Sequence, residues 1–488
     1  MLTRRHAISL GLSVGGFGAV GAAGGLFQTL VASGTAEAAP VGAEALAPVT
    51  PFTVPFATPP VLAPQLSTRA IDYYTVKMAR TSHEVLPGTR TDLMTYNGSF
   101  PGPTIRTRRG RTTVVRQVNA LDMPTSVHLH GGNNPVAMDG GMMDTIGPGR
   151  SRTYVYANDQ PAATLWTHDH AHHMESEHVY RGLSAAYLLA DDTEDALGLP
   201  SGKYDVPVVL RDARFDENAA LVYTMDDAFN RTTILVNGKP WPVMKVEGRK
   251  YRFRLINSCN LRIFVLRLSD GGLMTHIGGD GGLLPAPAKM PVAVLSPGER
   301  ADIVLDFSSY APGTQLVLEN LIGPGPAELV GKVMRFDVGE KVPDKSRVPD
   351  VLNPSAPLPV PTVERAFALK MDADAATGSG ASINGKLFDP NRIDTEIAWG
   401  STEVWTVSNT STEVPHNFHV HLAPFRILER DGQPVAPTEG GLKDTVLLWP
   451  GQSAKLQLTF DSHRGVYPYH CHMIDHSAMG MMAQMKIA

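Results

Sequence analysis

"PGQSAKLQLTFDSHRGVYPYHCH", residues 450–472, decides how this chain folds, because the chain carries it three times in altered form. The other copies are "PGRSRTYVYANDQPAATLWTHDH" from Pro148 and "PGERADIVLDFSSYAPGTQLVLEN" from Pro297. Twenty residues beyond each proline stand His168, Val317 and His470, and two further on stand His170, Glu319 and His472. A second register agrees. "VVRQVNALDMPTSVHLHG", "YRFRLINSCNLRIFVLRL" and "VWTVSNTSTEVPHNFHVHL" each run from an alternating strand through Asn119, Asn257 or Asn409 to another strand. That second strand bears His128 and His130 in the first copy, His419 and His421 in the third, and only apolar residues and Arg in the middle one. Such repetition implies three homologous units, residues 70–195, 200–345 and 360–488. Short strands separated by turn-rich connections make the class all-β, a row of sandwiches.

Composition agrees. Glycine (46) and proline (38) are abundant and charged residues are 19% of the 488, which suits strands and turns. A net charge of −5 provides no basic face, so no nucleic-acid partner is expected. Residues 1–38 read as an export signal: Arg4 and Arg5 precede a long uncharged run that ends at the small-residue site Ala36-Glu37-Ala38. The paired arginines resemble the twin-arginine type, making that export machinery an expected partner and the periplasm, cell surface or medium the destination. The run is also long enough to be an uncleaved anchor; its glycine content and terminal site favour cleavage. Residues 39–69, with "APVTPFTVPFATPPVLAP", read as a Pro-rich linker without a core-forming pattern. An exported chain relying on disulfides would carry more than Cys259 and Cys471. One bridge between them is the structural alternative to a metal role for Cys471, while Cys259 in "LINSCNLR" reads as a small buried apolar residue.

Four His-x-His pairs, 128/130, 168/170, 419/421 and 470/472, hold eight of the 17 histidines. On a strand, residues two apart share a face, so each pair offers two imidazoles side by side. One such pair is ordinary on an exposed strand. Four, divided between two copies of a repeat and absent from the third, suit a cluster of borderline metal ions, copper foremost. By the same parity Cys471 points away from His470 and His472. His416, an odd number of positions from His419 and His421, also faces away from them. His476 and Met481 follow Cys471 closely enough for a loop to bring them back. His416, Cys471, His476 and a weak axial Met481 make the donor set of a blue-copper centre. Cys471 would then pass electrons through its two neighbours to a multinuclear centre that reduces dioxygen.

"HLHGG", "WTHDH", "HNFHVHL" and "HCHMIDHSAMGMM" together resemble the copper motifs of three-domain multicopper oxidases, the laccase and bilirubin oxidase superfamily. The resemblance spans about the whole chain beyond the export segment; "SFPGPTIR", "VNGKPWPVMKVEGRKYRFRLIN" and "GLKDTVLL" are most similar to bilirubin oxidases and spore-coat-type laccases. It implies three cupredoxin-like Greek-key β-sandwich domains and four copper ions. Type 2 copper would sit at His128 and His419. The type 3 pair would be held by His130, His168, His170, His421, His470 and His472. Type 1 copper would take His416, Cys471, His476 and Met481, with electrons entering at the His476 edge. Asp139, in "NPVAMDGG", matches an acidic residue that handles protons beside the trinuclear centre; the same residue also reads as a turn before glycines. The implied partners are dioxygen and a phenolic or tetrapyrrole-like donor, with Cu(I) as the alternative donor.

Three departures stand out. Ser477 occupies the position where many bacterial relatives carry a proton-delivering glutamate. Val414 replaces a tryptophan of fungal bilirubin oxidases, and the methionine-rich insert of cuprous oxidases is missing. A copper-free scaffold of the same fold is set against by the retention of ten histidines and the cysteine. A copper nitrite reductase is set against by the three units and the HCH bridge. His172, His173 and His178 in "AHHMESEHVY" read as solvated, Asp169 as facing away from its histidine neighbours, His276 as structural, and the methionines of "MDGGMMD" as packing.

Overall fold

The computed structural model describes residues 49–354, 356–372 and 380–488. The expected export signal and the first ten residues of the expected linker lie outside them. Strand Thr112–Asn119 (TTVVRQVN) carries the logic of the fold: its residues alternate between buried and more exposed, so one face joins a core and the other meets solvent. It pairs in parallel with Ile71–His83, as Lys250–Asn257 pairs with Asp205–Ala213 and Thr402–Asn409 with Val363–Asp372. Each of these three units has two sheets: five and four strands in the first, seven and five in the second, six and five in the third. The protein is all-β, and each pair of sheets encloses its own apolar core.

The repeat is visible atom by atom at the asparagines. Asn119 donates its side-chain amide to the Met123 and Ile146 carbonyls and accepts from Leu121 N–H. Asn257 does the same with Arg262, Leu295 and Cys259, and Asn409 with Val414, Leu448 and Ser411. Each asparagine carbonyl also accepts from the glycine of its Pro-Gly pair, Gly149, Gly298 or Gly451, at 2.9–3.0 Å. All three glycines have φ between +70° and +85°, the left-handed conformation that side chains disfavour.

The Pro-rich stretch is a strap, which corrects the expectation that it has no core-forming role. Phe52 and Phe56 donate main-chain hydrogen bonds to Trp241 and Val243 at 2.8 Å, and their rings pack on the middle core. Leu62 then crosses to the first unit and bonds Thr104. Apolar residues interspersed with prolines let an extended segment bury side chains without joining a sheet.

Candidate metal centre

The four histidine pairs converge. His128 and His130 lie on strand Val127–His130, while His168, His419 and His470 lie on Ala163–Asp169, His416–Val420 and Gly465–His470. Their partners His170, His421 and His472 follow just past the strand ends. This corrects the expectation of one strand running through His470-Cys471-His472. Three of the four pairs straddle strand ends, where the backbone opens and imidazoles from the first and third units meet. Alternation still holds across the break: the His470 and His472 rings lie 5.4 Å apart at 29°. All eight are almost fully buried.

Second hydrogen bonds fix which ring nitrogen faces inward. His128 Nδ1 donates to the Asp139 carbonyl at 2.7 Å, and His419 Nδ1 donates to the Asp444 carbonyl at 2.8 Å. His168 and His470 donate likewise to the Asp169 and Cys471 carbonyls at 2.9 and 3.0 Å. A carbonyl only accepts, so Nδ1 carries the proton and Nε2 is left bare. His130 has the reverse tautomer, with Nε2 on Asp444 Oδ1 at 2.9 Å and Nδ1 turned inward.

The inward nitrogens crowd one another. His470 Nε2 is 3.3 Å from His170 Nε2 and 3.2 Å from His421 Nε2. His472 Nε2 is 3.3 Å from His168 Nε2 and 3.0 Å from His130 Nδ1. His128 Nε2 and His419 Nε2 are buried with no hydrogen-bond partner among the described residues. Bare nitrogen lone pairs aimed at each other repel, and orphaned buried acceptors are costly. A cation among them removes both penalties. Burial first, and neighbouring imidazoles second, hold His128, His421 and His472 well below the usual imidazole range, in the neutral form that binds metal.

Cys471 faces the opposite way, toward a second pocket. Its Sγ is 3.8 Å from His416 Nδ1 and from His476 Nδ1, which are 3.2 Å apart. His476 sits on the short helix Ile474–Ala478. The buried Met481 returns beside Cys471, its carbonyl accepting from Cys471 N–H at 3.0 Å. Cys471 and Cys259 are both free thiols, which excludes the bridge between them. Cys259 belongs to the middle core.

Asp139 lies at a turn and against the histidine cluster at once. It ends helix Val136–Asp139, where Gly140 turns at φ 72°, and its Oδ2 lies 2.9 Å from His421 Nδ1. It is buried, and burial together with Asp144 pushes its carboxyl up to about 8. His178 is a correction: it is buried, not solvated, with Nδ1 3.1 Å from Asp169 Oδ1. Asp169 faces away from the cluster as expected, accepting from Ser126 and Ala171 N–H. Sequence reasoning missed the supports. Asp444, inside "GLKDTVLL", holds His130 and is held by Arg300 of the middle unit at 2.8 Å. Asn417, between His416 and Phe418, accepts from Cys471 Sγ at 3.5 Å and from Met473 N–H at 2.9 Å.

Two family models, both described as multicopper oxidase, match residues 77–194 and 355–488. A bilirubin oxidase of Albifimbria verrucaria is 37% identical over 464 residues, covering 88% of this chain and 80% of that protein. The chain belongs to the multicopper oxidase family. A laccase of Bacillus subtilis (strain 168) is 34% identical to the oxidase over 503 residues, covering 88% of this chain and 97% of the laccase. The solved structure of a laccase from Pediococcus acidilactici superposes with a TM-score of 0.83 at 33% identity, covering 91% of this chain and 95% of that one. The oxidase is thus an oxygen-dependent copper oxidoreductase on a cupredoxin-like fold, and its histidine clusters fit copper.

Proposed function

We propose that the oxidase draws electrons singly from small phenolic or tetrapyrrole-like donors that dock over the His476 edge. The carrying observation is Asp226, whose carboxylate, with 46% side-chain exposure, lies 3.6 Å from His476 Nε2, the nitrogen opposite the Cys471 side. Exposed Met225 and Phe229 flank it in sequence. An aromatic hydroxyl donor meets apolar surface and a carboxylate that can accept its proton as the electron leaves. The tetrapyrrole class follows the name of the Albifimbria verrucaria relative.

In this reading His416, Cys471, His476 and Met481 would hold type 1 copper, and His128 and His419 type 2. His130, His168, His170, His421, His470 and His472 would hold the type 3 pair. Copper there supplies the one-electron redox steps and the reduction of dioxygen to water. The chain's own residues do the rest. Cys471 is bonded through its main chain to His470 and His472, so the sulfur pocket and the imidazole cluster share three consecutive residues. Asp139 holds a proton at its carboxyl next to His421, ready for a reaction that consumes four. Asp444 orients His130 and His419. We also infer twin-arginine export from Arg4, Arg5 and the uncharged run before Ala38, with delivery to the periplasm, cell surface or medium.

Copper content and oxygen uptake over a panel of a simple phenol, bilirubin and Cu(I) test this reading. Organic donors should sustain the faster uptake, and Asp226→Asn should raise KM for the phenol. Faster uptake with Cu(I) than with either organic donor would overturn the donor assignment.

A further inference from the structure

Where the first and third units meet beside the metal centre, helix Glu175–Arg181 packs against Ile474–Ala478 and carries two buried side chains with opposite fates. Ser176 donates to Asp475, a carboxylate saturated by partners: Arg231 and Asn260 side chains at 2.8 Å and Asp226 N–H at 2.9 Å. Glu175 is the reverse. It is 2% exposed, its Oε1 has one long hydrogen bond from Ser477 Oγ at 3.4 Å, and its Oε2 has no partner among the described residues. Among the described residues no cation pairs with it, so packing there gives no reason for a carboxyl. A buried carboxyl in such surroundings keeps its proton.

We propose that Glu175 is a proton-relay carboxyl of this oxidase, acting through the Ser477 hydroxyl to supply the protons that dioxygen reduction consumes. Its place suits the task. Glu175 N–H bonds the Ala171 carbonyl at 2.8 Å, so the helix stands on the turn directly after His170, and Ser477 directly follows His476. One residue therefore touches the contact between the oxygen-reducing cluster and the electron-entry helix. The step balances: each dioxygen takes four electrons from donor and four protons, yielding two waters. Glu175 releases one proton inward as a carboxylate and regains one from solvent, with no net change in the residue.

Burial pushes the Glu175 carboxyl up to about 8, Asp169 adding to the rise and main-chain hydrogen bonds opposing it. The other charged or titratable groups on the two packed helices are Glu177 and Arg181, paired with each other at 2.6 Å; His178, beside Asp169; Tyr180, whose hydroxyl accepts from Arg214 N–H; Asp475, held by Arg231; and His476. Glu175 thus titrates within the working range of a proton donor at neutral pH.

The proposal rests on the copper-ligand assignment above, and the test separates the two. In copper-loaded Glu175→Gln, copper per chain, blue absorbance and anaerobic reduction by a phenol should match the parent; their loss would count against the Glu175 role, since it makes the residue structural. Reoxidation by dioxygen should slow by about 10²-fold, lose its pH limb near 8 and show a larger solvent isotope effect. Glu175→Gln/Ser477→Glu, which moves the carboxyl across the same contact, should recover most of the rate. Infrared difference spectra of the metal-free chain should contain a protonated-carboxyl band that ionises near pH 8 and vanishes in Glu175→Gln. Unchanged reoxidation, no recovery in the double variant, or absence of that band would each overturn the proposal. Failure of the parent chain to bind copper would instead sink the ligand assignment.

Discussion

The histidine clusters make the metal-free chain acid-labile by an amount that can be worked out. Burial holds His128, His130, His168, His170, His416, His421, His470 and His472 well below 6.5, and His276 at about 4. The folded chain keeps these rings neutral while the unfolded chain protonates them below 6.5. Their stabilisation is therefore present above that pH and lost as pH falls. From pH 7.5 to 5.5 each costs about 1.4 kcal/mol, or ~12 kcal/mol for the nine. Raised groups oppose this, buried Glu299 among them, and for three the size can be worked out. Asp139 and Glu175, pushed up to about 8 by burial, hold protons in the fold that the unfolded chain releases; each returns about 2–3 kcal/mol over the same interval. His476 is also raised, to about 10: burial pushes it down, but Asp226 and Cys471 outweigh that. It returns about 1.4 kcal/mol. The net loss is ~6 kcal/mol, a large part of a typical folding free energy. With an unfolding entropy of about 0.9 kcal/mol/K for a chain of this size, the melting midpoint should fall by ~6 °C. Calorimetry of the metal-free chain at the two pH values, in buffers of different ionisation enthalpy, measures both the shift and the uptake of about six protons on unfolding at pH 5.5. A midpoint that stays level or rises on acidification would refute the reasoning, because it would mean that the buried rings already carry protons.

Cys471→Ser should remove the blue absorbance and about one copper per chain while the imidazole cluster still loads; metal analysis with oxygen uptake checks this, and full activity would count against the sulfur pocket. Asp139→Asn keeps the His421 contact but cannot pass a proton, so kcat at saturating donor should drop by about 10²-fold or more with anaerobic reduction unchanged. Asp444→Asn weakens the hold on His130 and His419 and should cut copper affinity by about 10–100-fold, read by competition with a chelator. Arg231→Met leaves Asp475 buried without its cation, and denaturant melts should record a loss of about 3–5 kcal/mol.

What the sequence made legible followed from periodicity and chemistry type. The His-x-His pairs, the thiol between two of them and the blank middle copy required only that alternation hold for three residues at a time. That condition survived even where the strands end at His470 and Asp169. The supports were illegible because nothing local marks them. Asn417 looks like any strand asparagine until Cys471 arrives from 54 positions away. Glu175 and His178 lie in a polar run that reads as solvated, and only docking of the third unit's helix buries Glu175. The strap is illegible because no strand or helix period marks it, yet Phe52 and Phe56, set between prolines, pack on the middle core.

The middle unit, which has no histidine pairs, is not a spacer. Arg300, fully buried, donates to Thr164 of the first unit at 2.9 Å, to Gly298 and Asp280 of its own at 2.7 and 3.0 Å, and to Asp444 of the third at 2.8 Å. A single guanidinium thus ties all three units one side chain away from His130. Gly298, the repeat's own turn glycine, lies against the His472 ring: a Cβ there would come within 2.8 Å of it. The Pro297 carbonyl beside it accepts from Asn417 at 2.7 Å, and Asn417 in turn meets Cys471. From the other side Asp226 and Arg231 cover Asp475 and His476. The turn that in units one and three precedes an imidazole strand has here become the wall behind both pockets. Without histidine pairs of its own, unit two positions those of its neighbours. Gly298→Ala, which changes no ligand and no charge, should therefore displace His472 and lower the copper content of the cluster; unaltered copper loading would show that the wall is not needed.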